Sequence, residues 1–378
     1  MTSVWNFPTR IVFGAGEARR AGEEARALGI DRALIVTDPG VVAAKLSDGV
    51  QESLQAAGIA TVLYSEVESN PTEANIAGGA RAFSDHRANG VVAIGGGSAL
   101  DSAKLIALRA RVKQPFEELD DAVGGGRHIP AELPPLVAIP TTAGTGSEVG
   151  RAAVVTVRSS GRKTVIFSPH LLAKVAILDP TLTLSLPPHT TAATGFDALT
   201  HCIEAYLAQG DHPMADAIAL AGIDLIVNHL PKAVAEGQAL DARSAMMKAA
   251  MMGAVAFQKG LGACHSLAHP LSSECGLHHG LANALCLPAV MDYNEDAVFE
   301  RVIHVGVLLG AELVPGGTAD ALRGLRQKVG LPDGLSEVGV ERNKLPLLAD
   351  LAVRDACHLE NPRACTRDDL LRLYEASL

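Results

Sequence analysis

The stretch GFDALTHCIEAY, residues 195–206, sets Asp197 and His201 four residues apart in a segment of helical character. Side chains at i and i+4 share one helical face, within reach of a common ion. Alone, such a pair is more often salt-linked or capping than metal-binding. A second stretch, GLGACHSLAHPLSSECGLHHG at 260–280, carries His265, His269, His278 and His279, four of the chain's 13 histidines. Glycines and a proline flank them in a helix–loop–helix context. Packing has little use for so many imidazoles in an Ala/Leu-rich region, so they read as a site. Imidazoles with a carboxylate make an N/O donor set that suits Fe²⁺, Zn²⁺, Mn²⁺, Co²⁺ or Ni²⁺, with no thiolate to demand zinc. Such a centre binds an alcohol oxygen and favours the alkoxide, from which a neighbouring nicotinamide can accept hydride.

Two loops supply the other half of that chemistry. GGGSALDSAK (95–104) follows the apolar run GVVAI. Its glycines permit a sharp turn and close approach, and Ser98 falls near a helix N-terminus that favours an anion such as a pyrophosphate. It is not GxGxxG, and alone it is as readily a tight turn with a cap. PTTAGTGSE (140–148) also follows an apolar run and offers Thr141, Thr142, Thr145 and Ser147. Two hydroxyl- and glycine-rich loops at the carboxyl ends of parallel strands mark a nucleotide crevice. Asp38, in IVTDPG, can accept hydrogen bonds from an adenosine ribose and would repel a 2′-phosphate, which favours NAD over NADP. Its plain alternative is a turn or cap residue.

The elements that must position these residues follow from periodicity. ALIVT (33–37), TVLYS (61–65), VVAI (91–94) and LVAIP (136–140) are short apolar runs separated by helical patterns over 40–57, 72–88 and 98–112. That alternation predicts βαβ units and a parallel sheet. After about residue 185 such runs give way to long Ala/Leu/Met-rich helical segments, ADAIALAGIDLIVNHL and ARSAMMKAAMMGAVAFQ among them. LSLPPHTTAATG (184–195) reads as the junction. We therefore expect an α/β dinucleotide-binding domain over 1–185 and an all-helical metal and substrate domain over 186–378.

Bulk properties narrow the function classes. Net charge is −10 over 378 residues, which argues against nucleic-acid binding as the main task. The N-terminal stretch has no signal-peptide pattern, and apolar runs such as GVVAIGGG fall short of a membrane span, so no membrane partner and a cytoplasmic location are expected. The six cysteines form no CxxC pair and read as free thiols. Aromatic residues are 3%, so Ala, Val, Leu and Ile must build the core.

Taken together, GGGSALDSAK, PTTAGTGSEV, GFDALTHCIEAY and GLGACHSLAHPL with GLHHG resemble the iron-containing (group III) alcohol dehydrogenase family, in order and over most of the chain. The resemblance implies a Rossmann-like parallel-sheet domain followed by a helical domain, the dehydroquinate synthase-like architecture. It implies metal ligands Asp197, His201, His265 and His279, with Fe²⁺ first and Zn²⁺ as the substitute. It implies His269 as a proton-path or substrate contact and leaves His278 outside the site. It implies NAD contacts at Asp38, Asn70, Gly96, Gly97, Ser98, Asp101, Thr141, Thr142, Thr145, Lys163 and Leu182, and a homo-oligomer. One departure stands out: many relatives have Thr after the EV of the second loop, whereas this chain reads EVGRAAVV. Arg151 is then a candidate for a substrate carboxylate, against the plainer reading that it pairs with Glu148 or another acid nearby. VAFQKGLGACHSLAHPL and the late CHLENPRACT resemble the 4-hydroxybutyrate dehydrogenase branch, which points to an ω-hydroxy acid or similar small primary alcohol. Rival readings are a maleylacetate-reductase-like enzyme, which departs at the metal ligands, and a metallohydrolase without a dinucleotide.

Overall fold

The computed structural model describes residues 9–157 and 163–378. Its contacts divide the chain into a sheet unit, through Thr142 and again over Gly146–Ser185, and a helical unit of Ala143–Thr145 with Leu186–Leu378.

In the sheet unit the described strands are β1 (Arg10–Phe13), β2 (Arg32–Val36), β3 (Ala60–Tyr64), β4 (Gly90–Gly95), β5 (Leu136–Pro140), β6 (Ala152–Thr156), β7 (Lys163–Phe167) and β8 (Val175–Leu178). Six of them form a parallel sheet in the order β1-β8-β5-β4-β2-β3. The four runs expected from periodicity are β2 to β5. The edge strand β1 and the inner strand β8 come from RIVF and VAIL, two further runs that the periodicity reading did not include. Alternate residues of the central strands enter two separate cores: Ala33, Ile35, Val92, Ile94, Val137 and Ile139 on one face, and Leu34, Val36, Val91, Ala93, Leu136 and Ala138 on the other. A sheet buried on both faces needs near-continuous apolar strands, which is what these runs provide. Strands β6 and β7 form a separate antiparallel hairpin, which a purely parallel reading did not include. The helical pattern at 40–57 is also interrupted: helices Pro39–Ala43 and Asp48–Ala56 are separated at Lys45, which takes a positive φ of 57°.

The sheet's strand order reverses between β2 and β4, so this pair forms the topological switch point. Asp38 follows β2, Gly96 to Ser98 follow β4, and Thr141 and Thr142 follow β5, the next strand along. Parallel pairing places all three segments at one end of the sheet.

The helical unit is built around the helix Pro188–Leu207, which is buried at every residue from Thr191 to Leu207. It starts immediately after Pro187, with Pro188 at its first turn, where a missing N–H costs nothing. Helices Pro213–Ala235, Leu240–Ala256 and His279–Glu295 pack around it, and Ala263–Cys275 packs on His279–Glu295. Among the described residues only Pro213–Ala235 is long and apolar enough to cross a membrane by length and composition. It packs against the central helix, and its Asp216 is paired with Lys259 and Arg301, as suits a helix of a folded core. All six cysteines are free thiols.

Candidate active site

Three helices of the helical unit each present a polar pair at i, i+4: Asp197 and His201, His265 and His269, His279 and Asn283. Crossing the helices brings one set of atoms together. Asp197, His265 and His279 each offer a ligand atom within 4.8 Å of the others. Asp197 Oδ1 lies 3.5 Å from His279 Nε2, close to the roughly 3.4 Å that separates ligands sharing a tetrahedral ion at about 2.1 Å. His201 stands at the edge of this group. Its Nε2 is 4.0 Å from Asp197 Oδ1, and its ring stacks on His265 at 4.8 Å. His278 is exposed and precedes the helix that His279 begins.

The close approach depends on Gly280. A Cβ there would stand 2.1 Å from the Ala193 carbonyl oxygen and 3.0 Å from Asp197 Cβ. Any side chain at 280 would push the His279 helix off the central helix and open the cluster.

One atom tests whether a cation fits. The amide nitrogen of Asn283 stands 2.9 Å from Asp197 Oδ1, 3.3 Å from His279 Nε2 and 3.5 Å from His265 Nε2. Three acceptor lone pairs thus converge on a single donor, the arrangement that a divalent cation also requires. The ionisation states agree with this. Burial disfavours charge on Asp197, but the facing imidazoles and the Asn283 amide outweigh it and hold the carboxyl below its ordinary value. Burial pushes His201 down to about 4, only partly opposed by Asp197. His279 is also lowered, chiefly by burial. His265 differs: burial lowers its pKa, but the hydrogen bond to Glu204 and that carboxylate's charge outweigh this and raise it. Metal binding needs neutral rings beside an ionised carboxylate, the states favoured at Asp197, His201 and His279.

His269 is turned to a different partner. Its Nδ1 is 2.7 Å from Asp355 Oδ2, and its ring lies parallel to that of His279 at 5.3 Å. Asp355 in turn accepts from Ser266 Oγ at 2.8 Å and from the Cys357 N–H at 2.9 Å. Burial opposes ionisation of Asp355, yet His269 and these donors hold its carboxyl well below the usual range. With Nδ1–H committed to Asp355, His269 Nε2 carries the lone pair and can take a proton. His269, Asp355 and Cys357 also lie close enough to hold an ion. Both carboxylate oxygens already serve internal donors, so the group reads as a positioned histidine.

In the sheet unit, Asp38 caps the short helix after β2, accepting from the Val41 N–H at 3.0 Å. Gly95 has φ 155°, a value that disfavours a side chain, and a Cβ there would meet Ala99 Cβ at 2.6 Å. Gly96 is the N-cap of the 13-residue helix Gly97–Arg109 and supplies no side-chain cap. The first N–H groups of such a helix lack intrahelical partners and suit a phosphate. Ser98 donates to the Ser69 carbonyl at 2.7 Å, beside exposed Asn70. Thr141 N–H donates to the Gly95 carbonyl at 3.0 Å, tying the two loops together.

Asp101 serves that tie more than it faces solvent. It accepts from Ser147 Oγ at 2.5 Å and from the Val154 N–H at 3.0 Å. Lys104, fully buried, donates to Ser147 Oγ at 2.9 Å and to the Ala152 carbonyl at 2.7 Å. Lys163 begins β7 half-buried, without a carboxylate or hydrogen-bond partner among the described residues, and burial lowers its pKa. Leu182, in the turn after β8, packs on one face of the sheet core. Thr145 and its neighbours Ala143 and Gly144 group with the helical unit, where a Cβ on Gly144 would meet Thr194 Cβ at 2.8 Å.

Arg151 is not paired with Glu148. The half-buried guanidinium lies 5.5 Å over the Phe167 ring, no carboxylate offsets the lowering of its pKa by burial, and Glu148 is itself fully buried. Sequence reasoning missed Glu204, Asn283 and Asp355. Glu204 and Asn283 were accessible through helical spacing, at three residues past His201 and four past His279. Asp355 is 86 residues from His269 and has no local signal.

Comparison with known proteins agrees over both halves. The family described as iron-containing alcohol dehydrogenase matches residues 8–180, and the C-terminal family of Fe-containing alcohol dehydrogenases matches residues 191–378. A 4-hydroxybutyrate dehydrogenase from Cupriavidus necator is 41% identical over 98% of both chains. The crystal structure of a 1,3-propanediol oxidoreductase superposes with a TM-score of 0.96 at 33% identity, covering both chains fully. A sulfoacetaldehyde reductase from Bifidobacterium kashiwanohense, in complex with NAD+, gives a TM-score of 0.91 at 30% identity over 100% of this chain and 98% of that one. The chain belongs to the iron-containing alcohol dehydrogenase family. It is an oxidoreductase of the metal-dependent alcohol dehydrogenase class, and the metallohydrolase and maleylacetate-reductase readings are set aside.

Proposed function

We propose that the chain transfers hydride between NAD and an ω-hydroxy acid of the 4-hydroxybutyrate kind. Asp197, His201, His265 and His279 would hold a divalent cation, Fe²⁺ before Zn²⁺. The loops around Asp38, Gly96 to Ser98 and Thr141 to Thr142, with the other NAD positions named from sequence, would hold the dinucleotide. The observation that carries the metal reading is the convergence of three lone-pair atoms on the Asn283 amide. The cation, when bound, supplies positive charge that favours alkoxide over alcohol, while the nicotinamide accepts the hydride.

The protein's own groups do the rest. Asn283 holds the Asp197 carboxylate in one orientation. His269, fixed through Nδ1 by Asp355, offers Nε2 to take the alcohol proton in oxidation and to return it in reduction. Gly96 leaves a bare helix terminus for a phosphate group. Arg151, without a carboxylate partner among the described residues, is the group we assign to the acid end of the substrate. We further infer a cytoplasmic homodimer or higher homo-oligomer, which light scattering on the purified protein would test.

The test of function follows absorbance at 340 nm with anaerobically Fe²⁺-loaded protein, NAD, 4-hydroxybutyrate, 1-butanol and 1,3-propanediol. Reduction of NAD with at least one of these alcohols is expected, and failure with all of them would sink the reading. The acid specificity has its own prediction. A charge-assisted pair is worth about 1.5–3 kcal/mol, so Arg151→Gln should raise KM for 4-hydroxybutyrate roughly ten- to a hundredfold and leave that for 1-butanol nearly unchanged. Equal effects on both alcohols would remove Arg151 from the substrate site.

A further inference from the structure

Glu204 lies in the centre of the helical unit, 3% exposed, on the same helix as Asp197 and His201. Its only charge partner among the described residues is His265, with Oε2 2.6 Å from Nδ1. Among the described residues no lysine or arginine pairs with it. A buried carboxylate without a cation is costly unless donors surround it. Here the donors come from the start of the 13-residue helix Ala263–Cys275. Oε1 accepts from the Cys264 N–H at 2.6 Å, and Oε2 accepts more weakly from the His265 N–H at 3.4 Å. These are orphan donors at the positive end of a helix dipole, which favour an anion. Gly262 makes room for it, since a Cβ there would stand 2.7 Å from Oε1.

A carboxylate accepts and does not donate, so its contact requires the proton of His265 to sit on Nδ1. In the neutral ring Nε2 is then the lone-pair nitrogen, and Nε2 is the atom that lies near the Asn283 amide with Asp197 Oδ1 and His279 Nε2. We propose that Glu204 is the positioning residue of the metal centre: one carboxylate caps the helix that carries His265 and sets the tautomer that leaves Nε2 able to bind the cation. The inference rests on the reading of Asp197, His265 and His279 as ligands of a divalent ion. It requires hydrogen-bonded support behind a ligating imidazole, whose loss typically weakens metal binding about 10- to 100-fold.

Glu204→Gln separates this role from simple filling of space. The glutamine is nearly isosteric, and its carbonyl oxygen can still cap Cys264. Its NH₂ group then faces His265 Nδ1, which must become an acceptor, and the proton moves to Nε2. Two measurements read this out. Imidazole ¹⁵N NMR of the metal-free protein in alkaline buffer, with His265 assigned by its loss in His265→Asn, should show the Nδ1–H tautomer in the wild type and the Nε2–H tautomer in Glu204→Gln. Competition between protein and a chromophoric chelator for Co²⁺ should show about 10- to 100-fold weaker binding by the variant, with a cooperative thermal melt retained.

An Nε2–H tautomer in the wild-type protein overturns the inference without any variant, and so do unchanged tautomer and Co²⁺ affinity in folded Glu204→Gln. His279→Ala in the same Co²⁺ assay tells the two ideas apart. Undiminished binding there removes the metal reading itself. Binding lost in His279→Ala but kept in Glu204→Gln removes only the role of Glu204.

Discussion

At the scale of single residues, the site is a division of labour among histidines that look alike in sequence. His265 and His279 point at the atom where Asp197 also points, while His269, one turn beyond His265, is drawn away by Asp355. The difference comes from the partner behind each ring. Asp355 holds the His269 Nδ1 proton and is itself held by Ser266 and Cys357. We predict that Asp355→Asn lowers kcat about tenfold or more while the NAD dissociation constant stays unchanged, because positioned proton transfer commonly contributes factors of roughly 10²–10⁴. Steady-state kinetics with a separate fluorescence titration of NAD checks this, and a weakened NAD affinity with unchanged kcat would contradict it.

At the scale of elements, the two loops of the sheet unit are braced from below by charge. Asp101 and Lys104, on the helix that the first loop begins, grip Ser147 near the end of the second loop and Ala152 and Val154 just after it. Removing one member of a buried charged network leaves the other uncompensated and typically costs about 3–5 kcal/mol. Asp101→Ala strands the buried Lys104 ammonium, whereas Lys104→Met leaves Asp101 with the Ser147 hydroxyl and the Val154 N–H. We expect Asp101→Ala to lower the melting temperature more than Lys104→Met does, and the reverse order would refute the argument.

Glu148 sits in the same segment and behaves oppositely. Burial raises its pKa from 4.5 to about 7, against smaller opposing effects of a backbone hydrogen bond and Lys104. Its proton therefore favours the folded state fully below about 4.5, and that stabilisation is lost as pH rises through about 7, a change of about 3 kcal/mol at most. Glu148→Gln should accordingly raise the melting temperature relative to wild type more at about pH 8 than at about pH 5. A difference that is the same at both pH values would count against it.

At the scale of the whole molecule, each unit has its own core and, in the function we propose, its own ligand. The sheet unit buries apolar residues on both faces of β2, β4 and β5, and the helical unit does so around Pro188–Leu207. A ligand that binds only the folded state stabilises it by about 2.7 kcal/mol at a hundredfold excess over its dissociation constant. Adding Zn²⁺ to chelator-treated protein should therefore raise the unfolding temperature in calorimetry, and His279→Ala should abolish that rise while leaving any shift produced by NAD. An undiminished Zn²⁺ shift in His279→Ala would place the ion elsewhere.

Much of this was legible in the sequence because it is local. Four apolar runs flanked by helical periods announced β2 to β5, and two Gly/Thr-rich loops announced the end of the sheet where Asp38, Gly96 and Thr141 gather. Asp197 and His201, and the histidines of 265–279, declared themselves through spacing along helices. The half-buried pattern of β1 and of the β6–β7 hairpin carried too little apolar signal to be seen, whereas VAIL of β8 was as legible as VVAI and was passed over. What tertiary structure alone decided is which polar atoms meet. Packing of three helices, made close by Gly280, sets Asn283 among Asp197, His265 and His279 and sets Glu204 behind His265. Helical periodicity dictates which side chains share a face, but only the crossing of helices far apart in sequence determines what each face meets.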